Sequence, residues 1–406
     1  MSVPKIGLCG FNNIGNTCYL NSVLQLLIHS NVLLSFLLEN DNSFSHYLEK
    51  ASIERIAEKY RKQNNVSENE KITIKRSNID ELMRLSIISK LHEIIHLILD
   101  KGNSIITPQS LKQVVDLKIK SFRGFMQQDA HEFLLQILDN IIEETGVESE
   151  STLNNVPEII KNYKEYLIDI KKKLIETPDI NDRKIIVNNL NEFKLANKDL
   201  INKYDGLNYM NKIFKKRYNP LIFNLKNITI NYIACSNCNN LIVNYEDNTI
   251  LTVPVCDTLY ESFSNFAKIE EVNNYHCSVC KSEQKVFKNC KIWKPPMLLF
   301  IQLKRFKQLP NGRILKDNSF VDIPLEFDIT DFYDTSMIDI PKFNKYKLKG
   351  FVNHHGSLNG GHYTADCVCI NDDSWFHFDD SNVSKYNGNN INISSAYILM
   401  YEMELK

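Results

Sequence analysis

A chain of 406 residues, 43% hydrophobic and 10% aromatic, has enough apolar surface for one large domain or two to three average ones. Lysine plus arginine number 48 against 49 for aspartate plus glutamate, so the formal charge of -1 gives no bulk electrostatic reason to expect nucleic acid or an anionic membrane as partner. No run of about 18 apolar residues occurs, MSVPKIGLCGFNN lacks the apolar core of a secretory signal, and ten cysteines are too sparse for a disulfide scaffold, so the expected compartment is reducing: cytoplasm or nucleus.

In chain order, Leu20, Val23, Leu24 and Leu27 fall at i, i+3, i+4 and i+7, which predicts a helix between Tyr19 and His29 with Cys18 at its N-terminal end. A helix N-terminus with a nearby imidazolium stabilises a thiolate, so Cys18 is the candidate nucleophile. Asn13, upstream of it, offers a side-chain amide that could fold back toward a developing oxyanion. Residues 41 to 80 and 144 to 217 are rich in Lys, Asn, Glu and Ile, and read as partly helical surface insertions. Between them, Ala130, Phe133, Leu134, Ile137, Leu138 and Ile141 predict a core-facing helix over Asp129 to Ile142. From about residue 220 the segments NITINYI, LIVNY, MLLFIQLKRF, KLKGFV, HYTADCVCI, SWFHF and AYILMYE read as strands of an antiparallel sheet system.

Cys235 and Cys238 (CSNC) and Cys277 and Cys280 (CSVC) are two C-x-x-C knuckles separated by 38 residues. Four thiolates close a tetrahedral structural zinc site, and the gap places the pairs at the tips of separate hairpins that one metal clamps. The bland alternative is two redox pairs or four buried thiols. His276 is read as a bystander.

The candidate base is His362 in GSLNGGHYTADC, at the mouth of a strand, where Gly360 and Gly361 permit close backbone approach. If HYTADCVCI and SWFHF form a hairpin, a two-residue turn at Asp372 and Asp373 brings Asp379 to the face of His362, and a three-residue loop brings Asp380 instead. His354 and His355, read in a loop NHHGSLNGG, are rival bases. Asp129 is a rival acid that helix capping alone would explain.

These residues together resemble the ubiquitin-specific proteases, a family of papain-like cysteine deubiquitinases. GFNNIGNTCYLNSVLQ is similar to the family's cysteine box, QQDAHEFLLQILD to its second box, and NGGHYTADC followed by WFHFDDS to its histidine box. The knuckles, LLFIQLKRF and AYILMYE match as well, so the resemblance spans about residues 7 to 403. It implies an α+β right hand: a helical thumb (1–143), an insertion (144–217), and an antiparallel β palm with zinc-tipped fingers (218–406, fingers about 228–292), all one catalytic domain. It implies Cys18 as nucleophile, His362 as base, Asp379 as triad acid with Asp380 as a second acidic position, and Asn13 at the oxyanion. Asp129, Phe306, Gly361 and Tyr363 are then expected to contact the ubiquitin tail. One structural Zn2+ and no catalytic cofactor are expected. The expected partners are ubiquitin, ubiquitinated proteins and a regulatory protein, with neither nucleic acid nor membrane.

Competing readings are a hydrolase of another Gly-Gly-tailed modifier, a non-catalytic ubiquitin-binding scaffold, and a nucleic-acid-binding zinc module. The near-neutral charge speaks against the last.

Overall fold

The helix Cys18–Ile28 buries all eleven of its residues. A one-faced amphipathic helix is what the spacing suggests, but this one lies between the helix Ala130–Thr145 on one side and the strands Lys345–Ser357 and Gly360–Val368 on the other. Burial on two sides leaves Asn21, Ser22 and Gln25 inside, and each of these three donates a hydrogen bond. Asn21 Nδ2 donates to Asp380 Oδ1 (2.7 Å), Gln25 Nε2 to the Cys9 carbonyl (2.7 Å) and Ser22 Oγ to the Tyr19 carbonyl (3.1 Å). Leu20, Val23, Leu24 and Leu27 are fully buried, each contributing about 1.5–3 kcal/mol by removal from water. The computed structural model describes residues 8–38, 44–67, 70, 72–102, 104–149, 157–309, 311–336, 345–357, 360–370, 373–387 and 391–404.

The first half is helical. Beyond the Cys18 helix, Phe44–Asn64 packs against Ala130–Thr145, burying Phe44, Leu48 and Ala51. This corrects the reading of 41–80 as a surface insertion: the three apolar residues sit at i, i+4 and i+7, a pattern diluted by the charges around them, while residues 41–43 lie outside the described residues. The segment 144–217 forms three helices, Glu158–Glu176, Ile180–Ala196 and Lys198–Lys216. The last lays Leu207, Met210 and Phe214 on Ile228, Ile230 and Trp293, so it covers one face of the second sheet.

The palm is an eight-stranded sheet in the spatial order Asn382–Lys385, Trp375–Asp379, Gly360–Val368, Lys345–Ser357, Ala396–Met403, Leu298–Leu303, Ile250–Val253, with Glu326–Asp328 paired beside Lys345–Ser357. Every pair is antiparallel except Ile250–Val253 with Leu298–Leu303, which is parallel. The predicted run MLLFIQLKRF breaks after Leu303, where Arg305 turns inward. Its Nε donates to the Ala396 carbonyl (2.7 Å) and its Nη1 to the carbonyls of Asp317 and Ser319 (3.0 and 2.8 Å). The other face of the second, four-stranded sheet, in the order Leu241–Asn248, Asn227–Cys235, Ser282–Lys294, Glu270–Cys277, bounds with the palm a cavity of about 520 Å³.

Two histidines are interior and neutral. Burial pushes His29 down to about 4, and pushes His354 down to about 4 with help from the nearby Lys316 charge. A base whose folded value lies below its unfolded value keeps its stabilisation above the unfolded pKa and loses it as pH falls toward the folded one. Urea denaturation at pH 7 and pH 5 is therefore expected to differ by about 2 kcal/mol per histidine, and His29→Asn, if it folds, to shrink that difference. A pH-independent midpoint would contradict this.

Candidate active site

The candidate nucleophile, Cys18, is placed by the segment that precedes it. Residues 10–12 run between Ile106 and Asp380: Ile106 N–H donates to the Gly10 carbonyl (3.0 Å), Asn12 N–H to the Ile106 carbonyl (2.9 Å) and Phe11 N–H to the Asp380 carbonyl (2.8 Å). The chain then turns through Gly15 and Asn16, both at positive φ (113° and 51°). A Cβ on Gly15 would lie 2.7 Å from the Phe125 ring, so only glycine satisfies both the backbone and the space. Asn13 Oδ1 accepts from the N–H groups of Gly15 and Thr17 (3.1 Å each), closing the turn at the helix entrance.

Cys18 is 4% exposed. Burial raises its thiol above the ordinary value, the backbone amides of Tyr363, Tyr19 and Cys18 itself pull it down, and the Asp380 charge pushes it up. The amides at the helix N-terminus act in the expected direction, but burial is the largest contribution and leaves the thiol above its ordinary value.

His362 Nε2 lies 2.6 Å from Asp379 Oδ1, which leaves Nδ1 as the nitrogen free to exchange a proton. The choice between the two aspartates follows from register. Ala365 faces Phe378 and Val368 faces Trp375, and the connection continues with Cys369 N–H to the Ser374 carbonyl (2.8 Å). This differs by two residues from the pairing that a two-residue turn at Asp372 and Asp373 would set; Asp372 itself lies outside the described residues. An even shift preserves faces, so Asp379 still shares the face of His362. Asp380, at φ 50°, turns to the thumb: its Oδ1 accepts from Asn21 (2.7 Å) and its Oδ2 from Asn13 Nδ2 (2.9 Å). The amide of Asn13 is thus anchored by one N–H and has a second.

Asp129 caps Ala130–Thr145, its Oδ1 accepting from His131 and Glu132 N–H (2.8 and 3.0 Å). Its Oδ2 accepts from the hydroxyls of Tyr397 (2.9 Å) and Tyr363 (3.4 Å), so it lies with the cleft wall and not with His362. Phe306 packs on His354 and Tyr397, with ring centroids 5.5 and 5.7 Å apart. Cys18, Gln127, Asp129, Phe306, Gly361 and Tyr363 line a cleft of about 120 Å³. His354 and His355 stand on the strand Lys345–Ser357, which corrects the loop reading; Leu358 and Asn359 of that stretch lie outside the described residues. His354 is buried among aromatic rings, and His355 pairs across the strands with His362.

Sequence reasoning missed Asn21, Gln127 and Tyr397. Asn21 had a signal, a polar residue on the apolar side of the Cys18 helix. Gln127 and Tyr397 had none, since their roles arise from contacts with residues more than 200 positions away.

The four paired cysteines meet where the hairpins of the second sheet turn. Cys235 and Cys280 Sγ are 3.9 Å apart, Cys238 and Cys277 Sγ 3.6 Å. Four sulfurs at about 2.3 Å from a tetrahedral zinc stand about 3.8 Å from one another, and disulfide sulfurs only about 2.05 Å. The cluster therefore fits one zinc. Cys277 is pulled down to about 6, first by the Cys280 backbone N–H and also by that of Val279, and is the readiest thiolate of the set. His276 lies outside the cluster.

A helix-borne cysteine that lines a cleft with the strand carrying a His–Asp pair, with a four-thiol clip on a separate sheet, defines a papain-like α+β cysteine hydrolase. The sequence profile of the ubiquitin carboxyl-terminal hydrolases matches residues 9–401, and the chain belongs to that family, the cysteine-type deubiquitinases. A probable ubiquitin carboxyl-terminal hydrolase of Acanthamoeba polyphaga mimivirus is 26% identical over 97% of this chain and 90% of its own length. Ubiquitin carboxyl-terminal hydrolase 8 of Saccharomyces cerevisiae is 25% identical over 97% of this chain and 70% of its own. Among solved structures, Ubp8 of the SAGA Ubp8/Sgf11/Sus1/Sgf73 DUB module bound to ubiquitin aldehyde shares the fold, with a TM-score of 0.60, 22% identity, and coverage of 100% of this chain and 71% of that one.

Proposed function

We propose that the protein hydrolyses the isopeptide or peptide bond after the C-terminal glycine of ubiquitin through Cys18, His362 and Asp379. The observation that carries the assignment is the 2.6 Å His362–Asp379 contact on the strand whose next residue, Tyr363, lines the same cleft as Cys18.

His362 Nδ1 takes the thiol proton, and the thiolate attacks the glycine carbonyl carbon. The second N–H of Asn13 is oriented by Asp380 to stabilise the oxyanion. The C–N bond breaks as His362 returns its proton to the leaving amine, giving a thioester on Cys18. Water, deprotonated by His362, then attacks the thioester; free ubiquitin carboxylate leaves and the thiol is restored. Asp379 holds the imidazole and stabilises its cationic form. Asp129, Phe306, Gly361 and Tyr363 form the tail channel, too narrow for side chains and so selective for Gly-Gly.

Cys235, Cys238, Cys277 and Cys280 hold one structural zinc, supported by sulfur spacings that suit a metal and not disulfides. Those free thiols also support placing the protein in the cytoplasm or nucleus. A regulatory protein partner belongs to the same proposal, with the Ubp8 module as precedent.

The test is incubation with a ubiquitin C-terminal electrophile, read by intact mass. A single adduct on wild type and none on Cys18→Ala is expected. An adduct only with an electrophile built on another Gly-Gly modifier would replace ubiquitin as substrate, and binding without any adduct would favour the scaffold reading.

A further inference from the structure

The strand Gly360–Val368 is paired on one side along its whole length by Lys345–Ser357, from Gly350–Cys367 to Ser357–Gly360. On its other side, pairing with Trp375–Asp379 extends only from Val368 to Ala365. Nearer its start this side is a strand edge turned to the cleft that Gly361 and Tyr363 line together with Cys18, and the Gly361 N–H and C=O both point across to the thumb. An open edge of this kind is a template for an extended peptide, which would add by main-chain hydrogen bonds.

Here the edge is covered. Gln127 Nε2 donates to the Gly361 carbonyl at 3.2 Å, and the Gly361 N–H donates to Gln127 Oε1 at 3.2 Å. A primary amide presents a donor and an acceptor side by side, as one strand residue does with its own N–H and C=O in an antiparallel rung, so this reciprocal pair copies one rung of a β-ladder. It ties together lobes 234 residues apart in sequence. Gly361 cannot carry a side chain there, since a Cβ would lie 2.2 Å from His354 Nε2 and 2.7 Å from the His355 carbonyl. The backbone is therefore held in place, and Gln127 is the member free to swing.

We infer that the Gln127 side chain is a substrate-mimicking latch: it occupies the place of the N–H and C=O of one residue of the incoming tail on the Gly361 edge and must be displaced before the tail can add. The inference rests on the tail channel proposed above. The latch makes binding selective, because a displacing chain has to return both hydrogen bonds from its own backbone in a space without room for side chains. It also taxes affinity, because apparent binding is reduced by the fraction of open cleft.

Gln127→Ala is the test. On a fluorogenic ubiquitin C-terminal amide, KM is expected to fall by about 5- to 30-fold, the amount by which two hydrogen bonds of ordinary net strength depopulate the open cleft. The change should appear in KM and not in kcat. A KM that rises would make Gln127 a tail contact, a lower kcat with unchanged KM would make it a support for the catalytic groups, and either overturns the latch. A readout that needs no substrate is hydrogen exchange at the Gly361 amide, expected to quicken about tenfold or more in the variant once its acceptor is removed. Unchanged exchange overturns the latch even if ubiquitin proves not to be the substrate. Failure of wild type to react with ubiquitin, with Gly361 exchange quickened in the variant, would leave the latch standing and remove only the ubiquitin reading.

Discussion

His362→Ala is expected to lower kcat/KM on a ubiquitin C-terminal amide by about 10³-fold or more, since it removes both the base that generates the nucleophile and the acid that protonates the leaving amine. The size of the effect follows from the environment of Cys18. Burial and the Asp380 charge push its thiol up, so the surroundings of Cys18 do not replace the imidazole as the source of the thiolate. Asp379→Asn should cost about 10²- to 10⁴-fold in kcat through loss of imidazole orientation. Asp380→Asn should act differently. Its single NH2 opposes one of the two donor amides, Asn13 or Asn21, while its oxygen can still accept from the other, so its chemical effect runs through a misplaced Asn13 and is accompanied by lost stability. A folded Asp380→Asn that loses more kcat than Asp379→Asn would make Asp380 the acid that serves His362.

The two aspartates also mark the limit of what the sequence could say. Which one serves His362 depends on loop parity between two strands, and both two-residue and three-residue turns suit DDS equally well. The structure decides it by a register printed in side-chain contacts: Asp379 on the imidazole and Asp380 on two asparagines from the first 21 residues. The candidate nucleophile, the candidate base and the four-thiol cluster were legible because each sits in a short local pattern: a helix start, a glycine-preceded strand, two knuckles. Gln127 and Tyr397 act only through distant partners, which no local pattern encodes. The helix Phe44–Asn64 was misjudged for a different reason. Its buried residues are few, so hydrophobic periodicity is weak although the packing is real. The loss of thiolate stabilisation at Cys18 was hidden as well, because helix position is readable from sequence whereas burial on both sides of that helix is not.

Removal of the metal is expected to be the most damaging change outside the cleft. Among the described residues, the one buried apolar partner around the cysteines is Val286, with Ile233 and Tyr275 half-buried beside it. Such a core supplies a few kcal/mol at most, whereas a structural zinc contributes apparent binding energies of about 10 kcal/mol or more in small domains. The two hairpins, joined at their tips by thiolates and elsewhere by the ladder between Asn227–Cys235 and Ser282–Lys294, should therefore fray from the tip inward when the ligands fail. Purified protein should carry one zinc per chain. Cys277→Ser, which removes the readiest thiolate, should release the metal, lower Tm and quicken hydrogen exchange over 232–242 and 272–288. Exchange in the deeply buried Cys18–Ile28 helix should stay slow. Because the clip is remote from Cys18, the kinetic cost should fall on KM for ubiquitin and leave kcat on bound substrate largely intact. Equal exchange across both regions, or a zinc-free wild type with full stability, would mean that the four sulfurs hold the fingers without a metal.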